Sequence, residues 1–328
     1  MKSKTKLLLK SDYGAALNQL LKPSRRMKYT ALDLFAGCGG LATGFEAAGF
    51  KTIGMEYDKN CCETYNSNLK GECRNIIITT KTKFPKTDIV IGGPPCQPFS
   101  VSGYQKGKSD LRNGIPAFIS AIKQTRPKLW MFENVRGILF RNKDYFEKTL
   151  KTLKKLDYTV EFKILNCVNF GVPQNRQRVI AVGYKTEFKF PTGSDEKISS
   201  GIALGKMAHQ IPRDSKFLTP SMDRYVAEYE RKSHTRPRDL YLDEPARTLT
   251  CRNLAGATAD MQRIKLPDGR RRRLRVSEAA RLQTFPDWFE FHGTETSKFN
   301  QIGNAVPPLM ANHLANEFKR VLGRYEKK

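Results

Sequence analysis

The sequence predicts an α/β protein with a doubly wound, mostly parallel sheet, joined to a smaller region of little regular structure. Two observations support this fold class. Between residues 29 and 184, short apolar runs alternate with amphipathic segments, as strands and helices do in such a sheet. Beyond about residue 185 the alternation is lost, and prolines fall at irregular intervals up to residue 269. A chain of 328 residues can form one large core or two unequal ones.

Six runs of apolar and β-branched residues predict the strands of this sheet. The first run is short and apolar and is followed by glycines, which is typical of a buried parallel strand. Helical segments separate most of the runs, as in a chain of right-handed crossovers. The predicted strands are residues 29–35, 52–55, 88–91, 128–133, 159–168 and 179–184.

Apolar residues at helical spacing predict the helices. Gly49 is a suitable residue to follow the end of the first helix, and Pro127 ends the third. Ser277 is the expected N-cap of the fifth. The predicted helices are residues 41–48, 60–68, 117–125, 146–156, 276–283 and 307–322. One face of the last helix is apolar and is expected to pack on the sheet, through Val306, Met310, Leu314 and Phe318.

Composition and charge exclude several classes of protein. The formal net charge of +26 indicates a polyanionic partner, foremost nucleic acid, with a merely soluble basic surface as the alternative. The longest apolar runs are too short for a membrane span or a signal peptide. Seven cysteines without a C-x2-C pair and four scattered histidines argue against a disulfide framework and a structural metal. We therefore expect a cytoplasmic protein without a metal, nucleoid-associated if the source is bacterial.

The first 28 residues hold the densest positive charge, a formal +7. They contain few aromatic residues and precede the first predicted strand. We expect this segment to be a basic, partly mobile extension.

A glycine-rich turn follows the first strand, with the sequence DLFAGCGG from Asp33 to Gly40. Glycines let the backbone approach a ligand closely, and the helix N-terminus behind them favours negative charge. Glu56 lies at the end of the second strand, where a carboxylate can bind ribose hydroxyls. This pattern alone suits NAD, FAD or S-adenosylmethionine, and it is also compatible with a plain tight turn.

A second loop is more specific. The sequence GGPPCQPFS places Cys96 just beyond the strand at residues 88–91, between prolines that stiffen the chain. Structural cysteines normally pack inside apolar elements, whereas this one lies in a Gly/Pro loop at the edge where doubly wound sheets bind ligands. We therefore expect Cys96 to be reactive.

Together these motifs resemble those of the DNA (cytosine-5)-methyltransferases, and the match covers nearly all of residues 30–322. The further motifs that carry the resemblance are FENV at residues 132–135, PQNRQR at 173–178, the stretch 275–286, and QIGNAV at 301–306. Several separate motifs in the order of the family are very unlikely to arise by chance. The family has the class I S-adenosylmethionine-dependent methyltransferase fold, which agrees with the fold class predicted above.

The resemblance implies that Cys96 adds to C6 of cytosine, because C5 is a poor nucleophile until a thiolate has pushed electron density toward it. Charge then develops at N3, where Glu133 is expected to hydrogen-bond or donate a proton, with Asn134 holding the loop. Arg178 is placed on cytosine O2, and Arg176 nearby as a support. The activated C5 takes the methyl group, the C5 proton leaves, and the thiol is eliminated.

The implied cofactor is S-adenosylmethionine, with S-adenosylhomocysteine as its product. Phe35 is placed on the adenine face and Glu56 on the ribose. Relatives usually bind the adenine amino group with an Asp-Ile pair, and the corresponding pair here is Asn75-Ile76, whose Asn carbonyl can accept the same bond. The remaining positions assigned to the cofactor are Gly37, Gly39, Leu41, Pro94, Asn304 and Val306.

The resemblance also assigns DNA contacts. Because duplex bases are stacked, the target cytosine must be flipped into the pocket, and Ser102 is expected to fill the space it leaves. Residues 186–286 correspond to the target-recognition domain, and residues 29–185 with 287–328 to the catalytic, cofactor-binding domain. The residues assigned to DNA are Ser100, Ser102, Arg112, Thr248, Arg252, Asn253, Arg270 and Arg272. For the arginines at 270–275, a solvated loop is the alternative.

Other functions stay open at this point. tRNA methyltransferases share the catalytic motifs, but they usually carry a Cys-Phe-Thr tripeptide, which this sequence lacks. A non-catalytic DNA-binding relative would not need Cys96, Glu133 and Arg178, and a dehydrogenase would leave the Cys96 loop without purpose. We expect a monomeric enzyme acting on double-stranded DNA, either solitary or paired with a cognate restriction endonuclease.

Overall fold

The computed structural model describes residues 12–24, 27–95, 113–140, 142–234, 236–256 and 258–325. These residues belong to two compact units. The sheet unit comprises the described parts of 21–166, 177–192 and 310–328, and the hairpin unit those of 1–20, 167–176 and 193–309. The hairpin unit is larger than the recognition domain expected at residues 186–286, since residues 167–176 and 287–309 also belong to it.

The sheet unit contains a seven-stranded sheet. Its strands are β1 (Thr30–Leu34), β2 (Lys51–Glu56), β3 (Glu72–Asn75), β4 (Ile89–Gly92), β5 (Leu129–Val135), β6 (Thr159–Asn166) and β7 (Gln177–Tyr184). Their order is β3-β2-β1-β4-β5-β7-β6. Neighbouring strands are parallel, except that β7 is antiparallel to both β5 and β6. This confirms the predicted doubly wound, mostly parallel sheet, although β3 was not predicted.

The helices of the described residues are distributed over both units. They are α1 (Tyr13–Leu20), α2 (Gly40–Ala47), α3 (Lys59–Asn68), α4 (Ile115–Thr125), α5 (Lys143–Lys154), α6 (Ser200–Leu204), α7 (Pro220–Ser233), α8 (Cys251–Ala255), α9 (Val276–Leu282), α10 (Glu295–Asn304) and α11 (Pro308–Tyr325). Helices α2 to α5 and most of α11 belong to the sheet unit. No helix in the described part of the chain is long and apolar enough to cross a membrane.

Aromatic side chains fill the core around β5. Trp130 and Phe132 stack with ring centroids 6.1 Å apart, and Phe118 of α4 contacts both rings edge-on. Gly183 lies opposite Trp130 in the β5–β7 register, and a Cβ added at Gly183 would lie 2.0 Å from the indole ring. The glycine therefore provides the space that the large ring needs at the centre of the sheet.

The segment of residues 1–28, expected to be a basic, partly mobile extension, contains a helix that the sequence analysis did not predict. Residues 13–20 form α1, in which Tyr13, Ala16 and Leu17 are buried at helical spacing. The Tyr13 hydroxyl donates to the carbonyl oxygen of Gly171 at 2.9 Å. Three apolar side chains on one helical face are enough to fix a short helix when they pack on another part of the unit.

The hairpin unit is more regular than the sequence suggested. It holds the antiparallel pair β8 (Arg263–Lys265) and β9 (Arg271–Arg273), together with α7, a helix of 14 residues. Thr219 caps α7, since its hydroxyl accepts from the N–H of Met222. The expected N-cap of α9 is wrong: the helix starts at Val276, as predicted, and Arg275, two residues before Ser277, occupies the cap position.

Candidate active site

The carboxyl ends of β1, β4 and β5 meet at one edge of the sheet because these strands are parallel neighbours. Successive connections wind in opposite directions from β1 and β4, so the strand order reverses between them. Doubly wound sheets bind ligands outside this point. The glycine turn follows β1, and the loop that leads to Cys96 follows β4. The last residues of β5 lie at the same edge.

Glu133 and Arg178 form an ion pair at this edge, with Arg178 Nε 2.7 Å from Glu133 Oε1. Their strands are antiparallel neighbours, and Arg178 lies opposite Val135, two residues beyond Glu133. Each side chain is only 12% exposed, so the attraction is stronger than it would be in open solvent. The structure thus brings together two side chains that the motifs assigned to different edges of the cytosine.

Asn134 connects β5 to the loop that leads into Cys96. Its Nδ2 donates to the carbonyl oxygen of Pro94 at 3.2 Å. The second carboxylate oxygen of Glu133 faces the same loop, since a Cβ added at Gly93 would lie 3.6 Å from Glu133 Oε2. Cys96 itself lies outside the described residues, as do Ser100, Ser102 and Arg112.

The described chain stops at Pro95 and resumes at Asn113, and a backbone contact joins the two sides of the gap. The N–H of Gly114 donates to the carbonyl oxygen of Pro95 at 3.0 Å. A Cβ at Gly114 would lie 2.6 Å from Pro95 Cδ and 2.7 Å from Phe35 Cζ, so only glycine fits there. Phe35, which the motifs place on the adenine face, therefore borders the base of the loop that carries Cys96.

The carboxylate of Glu56 binds backbone N–H groups of the glycine turn and of the segment after β2. Gly37 has φ +53°, and the space where its Cβ would lie is empty to 4 Å among the described atoms. Glu56 Oε2 accepts from the N–H of Gly37, while Oε1 accepts from the N–H groups of Tyr57 and Asp58. Burial raises the pKa of Glu56 above its usual value. Of the other predicted positions, Gly39 has φ +91° and Leu41 is buried in α2.

Asp33 begins the glycine turn, and the motifs assigned it no role. Its side chain is fully buried at the end of β1, and neither carboxylate oxygen makes a hydrogen bond of ordinary geometry with the described residues. Burial raises its pKa well above the usual value, and the charge of Glu56 raises it further. The backbone N–H of Ala42 offsets this only in part. A buried carboxyl group with so little hydrogen bonding is costly and points to a polar ligand or water at this place.

At the end of β3, Asn75 is oriented by the backbone beside it. Its Nδ2 donates to the carbonyl oxygens of Glu56 and Tyr57, at 3.2 and 2.8 Å. Because these bonds use the Nδ2, the Oδ1 is the atom of this side chain that can accept from an adenine amino group. Ile76 and Tyr57 are exposed next to it, at 39% and 71%. Tyr57 was missed from the sequence, although an aromatic residue directly after Glu56 was a signal for a base-binding surface.

Asn304, Val306 and Arg176 lie in the hairpin unit. Asn304 Oδ1 accepts from the thiol of Cys251 at 2.9 Å, and Val306 is buried. Arg176 is 1% exposed and donates to three carbonyl oxygens, those of Leu249, Gly303 and Ala305. These contacts join the segment of Arg176 to two other segments of the hairpin unit. Its expected role as a support of Arg178 stays a prediction.

Comparisons with known proteins give the family. A profile of the C-5 cytosine-specific DNA methylases matches residues 29–244 and 223–320. The Type II methyltransferase M.AplI of Arthrospira platensis is 51% identical over 317 residues, which cover 95% of this chain and 92% of that protein. The chain belongs to the C-5 cytosine-specific DNA methylase family. It is therefore a DNA cytosine methyltransferase, as its motifs predicted.

Other relatives are more distant. The Type II methyltransferase M.FnuDI of Fusobacterium nucleatum is 33% identical over 335 residues, covering 90% of this chain and 96% of that protein. Among solved structures, the methyltransferase EhMeth of Entamoeba histolytica aligns with a TM-score of 0.69 at 16% identity, over 90% of this chain and 99% of that one. The Dnmt2 methyltransferase of S. pombe aligns with a TM-score of 0.67 at 16% identity, over 89% and 99%. At these identities the structural likeness shows the fold alone.

Within this methyltransferase, the predicted base-reading residues separate into exposed and buried ones. Arg252 is exposed on α8, and the Thr248 hydroxyl donates to the carbonyl oxygen of Asn175. Asn253 is 3% exposed, and both ends of its amide bind the backbone: Oδ1 accepts from the N–H of Thr250, and Nδ2 donates to the carbonyl oxygen of Thr248. The prediction that Asn253 reads bases is wrong, because this side chain caps α8.

Two arginines in or next to β9 were predicted to contact DNA, and they also differ in exposure. Arg270 is exposed, with its guanidinium 4.6 Å from the centre of the Phe217 ring and an ion pair to Asp268. Arg272 is fully buried and makes two hydrogen bonds to Glu278, at 2.7 and 2.9 Å. Arg272 is therefore a structural residue, and the prediction that it contacts DNA is wrong.

Proposed function

We propose that this protein is the modification methyltransferase of a type II restriction–modification system and that it methylates one cytosine of a specific duplex sequence. The observation that carries this proposal is the Glu133–Arg178 ion pair, whose Glu133 side faces Gly93, three residues before Cys96. Support for the system comes from relatives at 51% and 33% identity, both of which are called Type II methyltransferases. A cognate restriction endonuclease would then be its functional partner.

The residues at this edge suit nucleophilic catalysis on a flipped cytosine. The thiolate of Cys96 adds to C6, and the carboxyl group of Glu133, once protonated at Oε2, donates a hydrogen bond to N3 as negative charge develops there. Arg178 uses its Nε for Glu133 and its Nη1 for the carbonyl oxygen of Gln177, which leaves Nη2 for cytosine O2. Once C5 carries the methyl group, a water molecule takes the C5 proton, the C5–C6 double bond re-forms and the C6–S bond breaks, which regenerates the thiolate of Cys96.

The glycine turn fits S-adenosylmethionine, the methyl donor that the family implies. Asp33 offers a buried carboxyl group without a hydrogen bond of ordinary geometry among the described residues, Gly37 leaves open space, and the Nδ2 of Asn75 is bound to the backbone, so that its Oδ1 can serve as the acceptor. Glu56 and Tyr57 would hold the ribose and the adenine ring. When bound, the cofactor supplies an electrophilic methyl group on a sulfonium. The chain's part is to orient that methyl toward the cytosine and to exclude water from it.

Trapping with 5-fluorocytosine tests this proposal. Fluorine at C5 cannot leave as a cation, so the enzyme should stop at the covalent adduct between Cys96 and C6. Duplexes that contain the modified base, incubated with the protein and S-adenosylmethionine, should give an adduct that survives denaturation. Cys96→Ser should give none, whereas Cys251→Ser, a matched change in the hairpin unit, should react normally. Adducts with RNA in place of every DNA duplex would contradict the proposal.

A further inference from the structure

A basic and aromatic surface lies just beyond the Glu133–Arg178 pair and has no role in the chemistry described above. We call Arg136, Phe140 and Gln177 the Arg136 surface. After β5 a single 3-10 turn runs from Arg136 to Leu139, and its Ile138 is 1% exposed in the core. This anchor fixes the turn and leaves Arg136 and Phe140 exposed at the carboxyl edge of the sheet.

Arg136 is held in one orientation by its two neighbours. Its Nη1 donates to Gln177 Oε1 at 2.8 Å, and its guanidinium carbon lies 5.1 Å from the centre of the Phe140 ring. Gln177 is in turn fixed beside the catalytic pair, because its carbonyl oxygen accepts from Arg178 Nη1 at 2.8 Å. A side chain that is already immobilised loses little conformational entropy when its remaining N–H groups bind a ligand.

The charge of Arg136 is not neutralised. Among the described residues no carboxylate pairs with it, whereas the buried Arg263 and Arg272 both have acidic partners. The approach is open, since a Cβ added at the neighbouring Gly137 would have no described atom within 4 Å. A fixed, exposed and unpaired guanidinium group is suited to an oxyanion ligand.

Phe140 gives the surface a second property. It is 63% exposed, which is unusual for a phenylalanine, and Arg136 covers one part of its ring. An exposed ring beside a cation is the combination with which proteins bind the sugars, bases and phosphates of nucleic acids. A simple anion site would not need this ring.

We propose that Arg136, positioned by Gln177 and Phe140, binds a backbone phosphate of the strand that carries the target cytosine. The inference rests on the proposed function, because a cytosine held by Glu133 and Arg178 leaves its sugar and phosphates at the mouth of the pocket. Arg136 follows Glu133 by three residues and contacts the neighbour of Arg178, so it lies where that strand must pass. Such a contact positions the DNA and carries no sequence information.

The salt dependence of DNA binding tests the contact without requiring catalysis. The slope of log K against log salt should be smaller by about 0.9 for Arg136→Gln, the value for one phosphate contact, and affinity should fall roughly tenfold for cognate and unrelated duplexes alike. Arg136→Lys keeps the charge and should keep the wild-type slope. The matched control is Arg126→Gln, an exposed arginine at the opposite edge of the sheet, which should behave as the wild type.

A second measurement locates the phosphate. Once bisulfite sequencing has identified the target cytosine, single neutral methylphosphonates are placed along its strand. At one position close to the target, the substitution should weaken wild-type binding as much as Arg136→Gln does and should have no further effect on that variant. Additive losses at every position would overturn the proposal.

Two other results would also overturn it: an unchanged slope for Arg136→Gln, or a fall in melting temperature and S-adenosylmethionine affinity that explains the loss of DNA binding. Failure of the proposed function is recognised separately, because the wild-type protein would then form no 5-fluorocytosine adduct with any DNA duplex. The binding slopes do not depend on that result.

Discussion

Arg178 Nε lies 2.7 Å from Glu133 Oε1, across the antiparallel strands β7 and β5. Each of the two side chains orients the other, and Arg178 is anchored further by the carbonyl oxygen of Gln177. One oxygen of Glu133 still faces Gly93. Donor and acceptor are thus fixed before a base arrives, so little reorganisation is needed when charge develops on the ring.

Replacing the carboxylate is therefore expected to affect the reaction more than binding. Glu133→Gln should lower kcat by about 10²-fold or more, because an amide is far too weak an acid to transfer a proton to N3 as negative charge develops there. DNA affinity, measured by fluorescence anisotropy, should change little. Glu147→Gln, an exposed position on α5, is the control for methyl transfer. A wild-type kcat for Glu133→Gln would contradict this role.

The sheet could be predicted because its strands are buried on both faces. Continuous apolar sequences such as Ile89–Gly92 leave few other interpretations, and the glycines after β1 mark the turn. Helix α7 was missed because it is mostly charged. Only Val226 and Glu230 are buried along it, and Glu230 pairs with the buried Arg263. A helix fixed by a cap and an ion pair leaves no apolar periodicity in the sequence.

The sequence predicts which types of residue form the site, but not the direction in which each side chain points. Successive side chains of a strand point to opposite faces, so Arg272 is buried in β9 while its neighbours Arg271 and Arg273 are half-buried. The sequence alone does not show which of these three side chains faces the core. Asn253 was misassigned for a similar reason, because an Asn three residues after a Thr can complete a capping box instead of reading a base.

The buried pair of Arg272 and Glu278 gives a direct test of this correction. Arg272→Ala should lower the free energy of unfolding by about 3 kcal/mol, because the buried Glu278 carboxylate loses its two bonds to Arg272 and keeps only Arg275, whose guanidinium is 3.4 Å away. Arg270→Ala removes an exposed side chain and should leave unfolding in urea nearly unchanged. Combining Arg272→Met with Glu278→Leu should restore most of the loss, since neither charge is then buried. An Arg272→Ala protein of wild-type stability that binds DNA weakly would contradict the structural role.

Asp33 predicts a dependence of stability on pH. Because burial raises its folded pKa well above the usual value, its stabilising contribution is complete below the unfolded pKa of about 3.9 and is lost as the pH rises through the folded pKa. Asn does not titrate, so the melting temperature of Asp33→Asn minus that of the wild type should increase from about pH 4 to about pH 9. Thermal unfolding without cofactor measures this difference.

The control is Thr43→Ala, which removes a buried side chain of α2 that does not titrate in this range. Its melting temperature should differ from the wild type by a similar amount at every pH. A difference for Asp33→Asn that is equally flat would show that Asp33 does not change its protonation state on folding.

The basic N-terminus predicts opposite outcomes for two deletions. Residues 1–11 carry four lysines and no acid, so their removal should weaken DNA binding at moderate salt and reduce its salt dependence, without changing which cytosine is methylated. Deleting residues 1–25 also removes α1, with the buried Tyr13 and Leu17 and the bond from the N–H of Asp287 to Asn18 Oδ1 at 2.7 Å.

The longer deletion should therefore lower the melting temperature, whereas the shorter one should not. Thermal unfolding and bisulfite sequencing of DNA from expressing cells separate the two effects. A changed target sequence after removal of residues 1–11 would mean that this segment takes part in recognition, beyond adding charge. Equal melting temperatures for the two deletions would mean that α1 contributes nothing to the hairpin unit, contrary to its buried contacts.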